Sequence, residues 1–533
     1  MTPRAYQSLA IEKTEEAFRE FTKVLGVAAT GAGKTIIFSL FTERHLAERP
    51  GNRVLIIAHR EELLAQAADK LHRSTGIPCE IERAESRASL DARVVVASIQ
   101  TLARRFDRFP SDHFSRIIVD EAHHALADSY QPTLGYFHNR GARVLGVTAT
   151  PGTKGKKALG NYFETISFEI GLIDLIHDGY LSPITLKSFP LVPDRSAAAP
   201  DFKLDVARGD YDQEEVAAAL DPYLENVVAR LGAEIGTRKT IVFLPLVKTV
   251  ERFVALCNAA GLTAAGVHGE SEDRASILSA HGRDFQILAN SMLLTEGYDD
   301  PEIQAMMILR PTRSEILFAQ MVGRGTRIFC PHGCTQRCGH LNRKRNLLLL
   351  DPLWLHDDMQ LVRPARLVTG RDDDRQTITE RISEAQGELD LLDLLADAEH
   401  EREKSLAEKL QKMERRQSTT ISVEEWAVIS HNPNIADFEP TMGWHSAPAS
   451  PKQLDFIQKV MGMDPASVKS RGHASALMNS FFERSKKKLA TPRQVRLLTK
   501  MKHPTPLEIT VKDACTWLDE KMGKSKKKEN PTP

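Results

Sequence analysis

Short apolar runs of strand length recur along the first two thirds of the 533-residue chain. Continuous runs rich in Val, Ile and Leu, separated by stretches of helical character, are typical of a parallel sheet with helices on both faces. The first five runs lie at 24–27, 53–58, 93–97, 117–119 and 144–147, and five more lie at 240–244, 264–267, 285–289, 306–309 and 347–350. The pattern therefore predicts two α/β domains in tandem.

The pattern changes after Arg371. Residues 378–416 are rich in Glu, Leu, Lys and Ala and contain no Pro, which favours long exposed helices. Further on, Ser450-Pro-Lys-Gln-Leu454 and Thr491-Pro-Arg-Gln-Val495 form a weak repeat. Each copy places a hydroxyl N-cap before a Pro at the first helical position. Two small helical modules are predicted there.

These changes set the expected domain boundaries. The fold class is α/β, with two tandem parallel-sheet domains followed by a helical C-terminal region. The expected parts are a first domain over 1–160, a connector over 161–235, a second domain over 236–368 with an inserted Cys/His loop at 329–345, a charged helical connector over 369–445, two small helical repeats over 446–520 and a Lys-rich disordered tail over 521–533.

Composition and the lengths of the apolar stretches argue against a disordered protein and against a membrane protein. Hydrophobic residues make up 41% and charged residues 27% of the chain, which excludes global disorder. No apolar stretch approaches the roughly 18 to 20 residues that a membrane helix needs, and the first residues lack a signal pattern. The expectation is a cytoplasmic protein without a membrane partner.

The formal net charge of zero conceals a segregation of charge. Residues 446–533 contain 18 Lys and Arg against 8 Asp and Glu, a balance of +10, so residues 1–445 carry −10. A basic region of this kind is typical of polyanion binding. The alternatives are a solvated surface and a protein partner that docks on the helical repeats.

A phosphate-binding loop follows the first apolar run. After Val27 the chain reads Ala28-Ala-Thr-Gly-Ala-Gly-Lys-Thr35 and continues into an apolar helix start. Glycines let successive backbone N–H groups turn toward an anion, and the helix N-terminus adds its dipole. In such a loop the Lys reaches the β- and γ-phosphates and the Thr ligates Mg²⁺. The residues assigned to this role are Thr30, Gly31, Ala32, Gly33, Lys34 and Thr35, with Ala28 where the common pattern has its first Gly.

Two adjacent carboxylates follow the fourth apolar run, in the sequence Val119-Asp-Glu-Ala-His-His124. At the carboxyl end of a strand beside a phosphate-binding loop, two carboxylates suit complementary roles. Asp120 would hold Mg²⁺, and Glu121 would orient and deprotonate the attacking water.

Asp120-Glu-Ala-His123 together with the phosphate-binding loop resembles the DEAH-type helicases and translocases of superfamily 2. The resemblance covers roughly residues 1–355, implies two RecA-like domains, and is strongest to the RadD and type III restriction-subunit group. The other matching segments are Arg4-Ala-Tyr-Gln7 (the adenine-recognising element), Ala58-His-Arg-Glu61 (motif Ia), Ser98-Ile-Gln-Thr101 (motif Ib), Thr148-Ala-Thr-Pro151 (motif III), Thr295-Glu-Gly-Tyr-Asp299 (motif V) and Gln320-Met-Val-Gly-Arg-Gly-Thr-Arg327 (motif VI).

The resemblance implies roles for further residues. Arg324 and Arg327 occupy arginine-finger positions, Gln320 a γ-phosphate-sensing position, and His123 links the Mg²⁺ site to motifs III and VI. Arg4, Gln7, Gly297 and Asp299 are implied in nucleotide binding. The implied nucleic-acid contacts are Arg60, Ser98, Gln100, Thr101 and Thr295, each of which could equally be a helix cap or turn residue.

Three cysteines, Cys330, Cys334 and Cys338, lie within nine residues directly after motif VI. With either His332 or His340 they make four ligands, which matches a closed tetrahedral zinc site. The alternatives are a reduced surface loop and, more remotely, an iron–sulfur cluster.

The sequence thus predicts a DNA helicase or double-strand DNA translocase that depends on ATP and Mg²⁺, with one structural Zn²⁺ as a further expected ion. An RNA helicase is one alternative, because motifs of this type serve both polymers. The other is an ATP-driven remodelling or translocating subunit that does not separate strands.

Overall fold

The structure is a computed structural model of the chain that divides into two compact units. The first unit comprises 1–155 and 162–398, and the second comprises 156–161 and 399–533. The residues that it describes are 3–58, 61–149, 159–190, 204–205, 210–269, 271, 273–291, 298–341, 343–353, 364–368, 372–384, 387–414, 420–430, 432, 435–436, 438, 440 and 443–526.

The first unit opens with a seven-stranded, wholly parallel sheet. Its strands are β1 Lys23–Ala28, β2 Val54–Ala58, β3 Glu80–Glu82, β4 Val94–Ser98, β5 Arg116–Asp120, β6 Arg143–Thr148 and β7 Thr165–Ile170, in the order β3-β4-β2-β5-β6-β1-β7. The helices of this part are α1 Ala5–Glu20, α2 Lys34–Glu48, α3 Glu61–Thr75, α4 Ile99–Leu102, α5 Gln131–His138 and α6 Leu172–His177. The central strands are buried along their length, as parallel strands covered on both faces must be.

A second seven-stranded sheet follows in the same unit. A two-stranded antiparallel ribbon, β9 Leu204–Asp205 with β10 Asp210–Tyr211, precedes most of it. The strands of the sheet are β8 Ile184–Pro190, β11 Thr240–Phe243, β12 Ala264–Val267, β13 Ile287–Asn290, β14 Ala305–Ile308, β15 Leu347–Leu353 and β16 Leu389–Asp390, in the order β12-β13-β11-β14-β15-β8-β16. All pairs are parallel except β16 with β8. The helices of this part are α7 Gln213–Leu220, α8 Leu224–Ile235, α9 Val247–Ala259, α10 Arg274–Ala280, α11 Glu315–Gly325, α12 Ala365–Val368 and α13 Asp372–Glu384.

These sheets confirm the predicted fold class, and each of the ten apolar runs is a strand. The expected connector over 161–235 nevertheless contributes β7 to the first sheet and β8 to the second. Both strands contain alternating or isolated polar residues, Thr165-Ile-Ser-Phe-Glu-Ile170 and Ile184-Thr-Leu-Lys-Ser-Phe-Pro190. A search for continuous apolar runs therefore passes over them.

The second unit is helical. The helical segment expected over 378–416 contains α13 and β16 of the first unit and also α14 Leu391–Glu414, which begins in the first unit and continues into the second. The remaining helices are α15 Val423–Ile429, α16 Pro451–Phe456, α17 Arg471–Lys486, α18 Pro492–Lys500 and α19 Val511–Lys526. Ser450 and Thr491 cap α16 and α18 with Pro at the first helical position, which confirms the predicted capping of both repeats.

The core of the second unit surrounds Trp426, which is fully buried and donates from its indole Nε1 to Ser480 Oγ at 2.8 Å. Ile457, Leu477 and Leu498 are also fully buried in this core. The two predicted repeats therefore share one hydrophobic core. Within the described part of the chain, no helix has the length and apolar character needed to cross a membrane.

Candidate active site

The phosphate-binding loop connects β1 to the N-terminus of α2. Gly31 and Gly33 adopt φ angles of 92° and 78°, a region that residues with a side chain rarely enter. A Cβ on Gly33 would also lie only 2.8 Å from Gln7 Nε2. Because α2 begins at Lys34, the loop presents backbone N–H groups and a helix dipole to the same space. The loop therefore has the geometry of an anion site.

The start of α1 braces this loop. The Gln7 side chain is 5% exposed and donates from Nε2 to the carbonyl of Ala32 at 3.2 Å, and Tyr6 donates its hydroxyl to the same carbonyl at 2.9 Å. The Arg4 guanidinium lies 5.1 Å from the centre of the Tyr180 ring. The predicted base-recognising segment is therefore in direct contact with the phosphate-binding loop.

The two acidic residues lie where β5 ends. Asp120 is the last residue of β5, and Glu121 adopts a φ of 50°, which is uncommon for a residue other than Gly. The Glu121 carboxylate lies 3.5 Å from Lys34 Nζ and 3.4 Å from His123 Nδ1. The same His123 Nδ1 is 3.2 Å from Thr148 Oγ1 at the end of β6. His123 thus connects the carboxylate to motif III.

The Glu121 carboxyl group is held in its ionised form. Burial alone would raise its pKa, but Lys34, the hydrogen bond from His123 and the Arg324 charge outweigh burial and lower the pKa to about 2. A pKa below the ordinary value of 4.5 stabilises the folded state above that pH, and this stabilisation is lost as the pH falls through about 2. Around neutral pH the group is a carboxylate paired with a lysine.

Helix α11, which packs in the region of the second sheet, brings the residues of motif VI to the phosphate-binding loop. Arg324 donates from Nη1 to the carbonyl of Tyr298 at 3.0 Å, and Arg327 forms an ion pair with Asp299. Gly323 lies directly on the phosphate-binding loop, since a Cβ there would be 2.4 Å from Thr30 Cβ. Helix α11 therefore contacts the phosphate-binding loop at a glycine.

We call the residues around the first sheet the first half of the site and those around the second sheet the second half. The two halves line a cavity of about 630 Å³, a volume within the usual range for small-molecule sites. Its lining includes most of the predicted nucleotide-site residues. Ala32 lies in the phosphate-binding loop, and His123 lies next to the Glu121 carboxylate. The predicted residues in the lining are Arg4, Gln7, Thr30, Gly31, Gly33, Lys34, Thr35, Asp120, Glu121, Asp299, Gln320, Arg324 and Arg327.

Of the residues predicted to contact nucleic acid, those that the structure describes do not line this cavity. Ser98 is fully buried and caps α4 by accepting from the Thr101 N–H, and the Thr101 side chain is 8% exposed. The helix-cap alternative therefore accounts for Ser98, whereas Gln100 is exposed. Arg60, Thr295 and Gly297 lie outside the described residues.

Sequence reasoning missed part of the lining. Lys70 on α3 faces the cavity, and its Nζ lies 3.8 Å from Asp299 Oδ2 of the other half. Burial lowers the pKa of Lys70, and the charges of Arg327 and Arg324 lower it further. The lysine stands three turns into the helix that follows motif Ia, so no motif pattern marks it.

The Cys/His loop brings four donor atoms together. Cys330, Cys334, Cys338 and His340 offer ligand atoms that all lie within 4.8 Å of one another. The three thiols are 3.4, 3.5 and 3.3 Å from His340 Nδ1. Tetrahedral zinc with Zn–S bonds of about 2.3 Å has edges of roughly 3.7 Å, close to these separations. His332 instead stacks on the His340 ring at 4.2 Å.

The same loop also reaches the rim of the cavity. Arg4 donates from Nη2 to the carbonyl of Thr335 at 3.2 Å, and Arg337 donates its backbone N–H to the carbonyl of Gly179 at 2.7 Å. The loop is therefore docked on residues that border the nucleotide cavity.

The chain matches two families in tandem. Residues 1–153 match the family described as the res subunit of type III restriction enzymes, and residues 223–329 match the helicase conserved C-terminal domain. The two matches follow each other in the order expected from the motifs that resemble superfamily 2 of the helicases.

Two curated proteins from yeasts are similar to the chain over part of their length. IRC3 of Saccharomyces cerevisiae, named as an ATP-dependent helicase, is 32% identical over 352 residues, which are 61% of this chain and 49% of the relative. The irc3 of Schizosaccharomyces pombe, named as a mitochondrial ATP-dependent helicase, is 31% identical over 61% of this chain and 55% of its own. The chain thus spans about half the length of these curated relatives.

The solved structures show the same fold. A fragment of an HsdR subunit of a type I restriction enzyme from Vibrio vulnificus has a TM-score of 0.52 at 23% identity, covering 66% of this chain and 64% of that one. The type ISP restriction-modification enzyme LlaBIII bound to DNA also gives 0.52, at 14% identity over 96% of this chain and 41% of that one.

Gly323→Ala should slow ATP hydrolysis, because the added methyl group meets Thr30 and keeps the two halves apart. We expect kcat to fall by about a hundredfold, as for a displacement of roughly 1 Å at a reacting centre. Steady-state hydrolysis measures this, and Gly135→Ala is the control, since a Cβ on Gly135 has no neighbour within 4 Å among the described residues. Equal rates in the two variants would contradict the close approach.

Glu121→Gln and Lys34→Ala should fail differently. The amide of Glu121→Gln cannot accept a proton, so nucleotide should stay bound while kcat drops by a factor of about 10² or more. Lys34→Ala should weaken nucleotide binding as well. Binding of a fluorescent ATP analogue and single-turnover hydrolysis separate the two effects; normal hydrolysis by Glu121→Gln would disprove its role as the base.

Proposed function

We propose that the chain is an ATP- and Mg²⁺-dependent DNA helicase or double-strand DNA translocase. The observation that supports this most directly is that the phosphate-binding loop of one sheet and the arginines of α11 from the other face a single cavity. Because the arginines reach the cavity only when the halves are together, hydrolysis requires closure. Opening and closing in each cycle would then move the two halves relative to a bound strand.

The geometry suggests how the residues share the reaction. Lys34 neutralises the phosphates of the bound nucleotide. When it turns toward them, Glu121 loses its nearest cation, and its pKa rises toward the range of a general base for water. Arg324 and Arg327 stabilise the negative charge that develops on the transferred phosphoryl group. His123 keeps the carboxylate in place from the side of motif III.

Thr35 and Asp120 are the residues that would hold Mg²⁺. Both line the cavity, and hydroxyl and carboxylate oxygens are the ligands that this ion prefers. When bound, Mg²⁺ offsets the charge of the β- and γ-phosphates.

DNA is favoured as the polymer by the match to the res subunit of type III restriction enzymes, together with the fold shared with LlaBIII, which was solved bound to DNA. Contacts of this superfamily go mainly to phosphates, which position a strand without reading its sequence. The choice between DNA and RNA is therefore best tested directly.

The decisive experiment compares ATP hydrolysis with no polymer, single-stranded DNA, double-stranded DNA and RNA. We expect DNA to raise kcat above the rates with RNA and without polymer, and Glu121→Gln supplies the inactive background. Greater stimulation by RNA would identify an RNA helicase. Stimulation by DNA without displacement of an annealed strand, but with displacement of a triplex-forming strand, would identify a translocating subunit that does not unwind.

We propose that the basic second unit provides a second binding surface for the nucleic acid. Part of its charge is structural, because Arg484 is buried and donates to the carbonyls of Ala490, Ile429 and Leu507. Lys486 and Lys487, by contrast, are exposed. Charge of this kind adds salt-dependent affinity by releasing counterions from phosphates.

Measurement of DNA affinity at several salt concentrations tests this second binding surface. Lys486→Gln with Lys487→Gln should flatten the slope of log affinity against log salt by about 1.5 if both contact phosphates. Lys13→Gln with Arg49→Gln, which removes two exposed charges from the first unit, is the control. An unchanged slope would favour the alternative that the helical repeats bind a protein partner.

We further propose that Cys330, Cys334, Cys338 and His340 bind one structural zinc ion. Three thiolates and one imidazole form a closed set without an open position for a substrate. The ion would fix the conformation of a loop that has few apolar side chains of its own.

Purified protein should contain about one equivalent of zinc, as a single four-ligand site requires. Elemental analysis should show a lower content for Cys334→Ser, because one thiolate is lost, and an unchanged content for Cys515→Ser, an exposed cysteine in the second unit. Folded, active wild-type protein without metal would exclude the site.

A further inference from the structure

One buried cation lies outside every motif of the ATP site. Lys344 follows the Cys/His loop and is only 3% exposed. Its Nζ donates to the carbonyls of Gly325 at 2.5 Å, Arg327 at 2.9 Å and Pro301 at 3.5 Å. Among the described residues Lys344 forms no ion pair, so these three carbonyls are its polar partners.

The three carbonyls belong to the catalytic segments. Gly325 is the last residue of α11, where carbonyl groups lack partners within the helix and carry the negative end of its dipole. Arg327 is itself an arginine-finger position. Pro301 directly follows the segment in which Tyr298 and Asp299 contact Arg324 and Arg327. A single side chain therefore joins motif VI to the segment that directly follows motif V.

A second residue, Ser182, also donates to the backbone of motif VI. Ser182 donates its N–H to the carbonyl of Thr326 at 2.6 Å and its hydroxyl to the carbonyl of Arg327 at 3.1 Å. The neighbouring Leu181 side chain lies beside the phosphate-binding loop, 3.0 Å from where a Cβ of Gly31 would be. Together Lys344 and Ser182 donate to the carbonyls of Gly325, Thr326 and Arg327.

Lys344 also closes the neck of the Cys/His loop. Its backbone N–H donates to the carbonyl of Phe329 at 2.9 Å, so the two ends of the loop meet directly before Cys330. The position of the ammonium group is therefore tied both to the predicted zinc ligands and to the arginines.

If Lys344 served only to fill space in the core, an apolar side chain would serve as well. Burial lowers the pKa of Lys344 to about 7, which reflects the cost of placing a charge where an apolar side chain would also fit. The ammonium form has three N–H groups, one for each carbonyl, whereas the neutral amine has two. The property that an apolar residue lacks is the ability to hold three carbonyls from two segments at one point.

We propose that Lys344 is a positioning residue for the arginine fingers and that the Cys/His loop is, through it, an integral part of the ATPase site. This inference rests on the proposed ATPase activity. Loss of the lysine would leave nucleotide binding to the first half of the site intact and let the end of α11 drift from its place.

The test compares Lys344→Met, which keeps length and removes the donor, with Lys344→Arg, which keeps a donor. The exposed neighbour in Arg345→Met is the control. For Lys344→Met we expect kcat of DNA-stimulated hydrolysis to fall by about 10- to 100-fold, as for a small displacement of catalytic groups. The Kd for MgADP should stay within about twofold of wild type and the zinc content should be unchanged. Lys344→Arg should recover part of the rate.

Three results would overturn the proposal. The first is a folded Lys344→Met with the wild-type kcat, and the second is a parallel loss of nucleotide affinity and kcat. The third is failure of both Lys344 variants to fold by thermal unfolding and circular dichroism, which would make the lysine a folding determinant. If wild type and Arg345→Met both hydrolyse no ATP, the proposed function fails, and the positioning role falls with it; failure confined to the Lys344 comparison leaves the ATPase standing.

Discussion

The close contact between Gly323 and Thr30 is the constraint on which the site depends. It allows a helix from one sheet to lie against the phosphate-binding loop of the other, at a distance that leaves no room for a side chain. That approach adds residues of the second sheet region to the loop, the α1 residues and the β5 carboxylates of the first. The arginines, the Asp299 carboxylate and the buried Gln320 all enter from the second half.

The electrostatics of the cavity follow from the same arrangement. In the cavity Lys34 pairs with Glu121, and Lys70 and Arg327 pair with Asp299. Arg4, Arg73 and Arg324 add further positive charge to the lining. Such an excess of positive charge is stable when a polyanion completes it. Within the cavity, the pairs Glu121–Lys34 and Arg327–Asp299 offset part of this charge.

Sequence alone predicted the elements whose signal is local. The ten apolar runs and the order of the motifs were sufficient to predict two parallel sheets and to place the nucleotide-site residues at strand ends, and the Ser450 and Thr491 caps were visible from one hydroxyl followed by Pro. Strands β7 and β8 were missed because edge or half-exposed strands alternate polar and apolar residues. Ser98 and Lys344 show a second limit: whether a polar side chain faces solvent, a cap or a buried carbonyl is decided by tertiary contacts that no spacing records.

The neck of the Cys/His loop has a consequence for the history of the fold. A loop whose ends are joined by a hydrogen bond, Lys344 N–H to the Phe329 carbonyl, can change in length without altering the strand that follows it. The entropy cost of lengthening such a loop grows only logarithmically, by about 0.6 kcal/mol for each doubling. Since β15 begins just beyond the neck, at Leu347, this point in the second sheet is suited to accept inserted segments of very different size. Changes in length that spare Thr335 and Arg337, through which the loop contacts the rim of the cavity, would leave both the cavity and β15 in place.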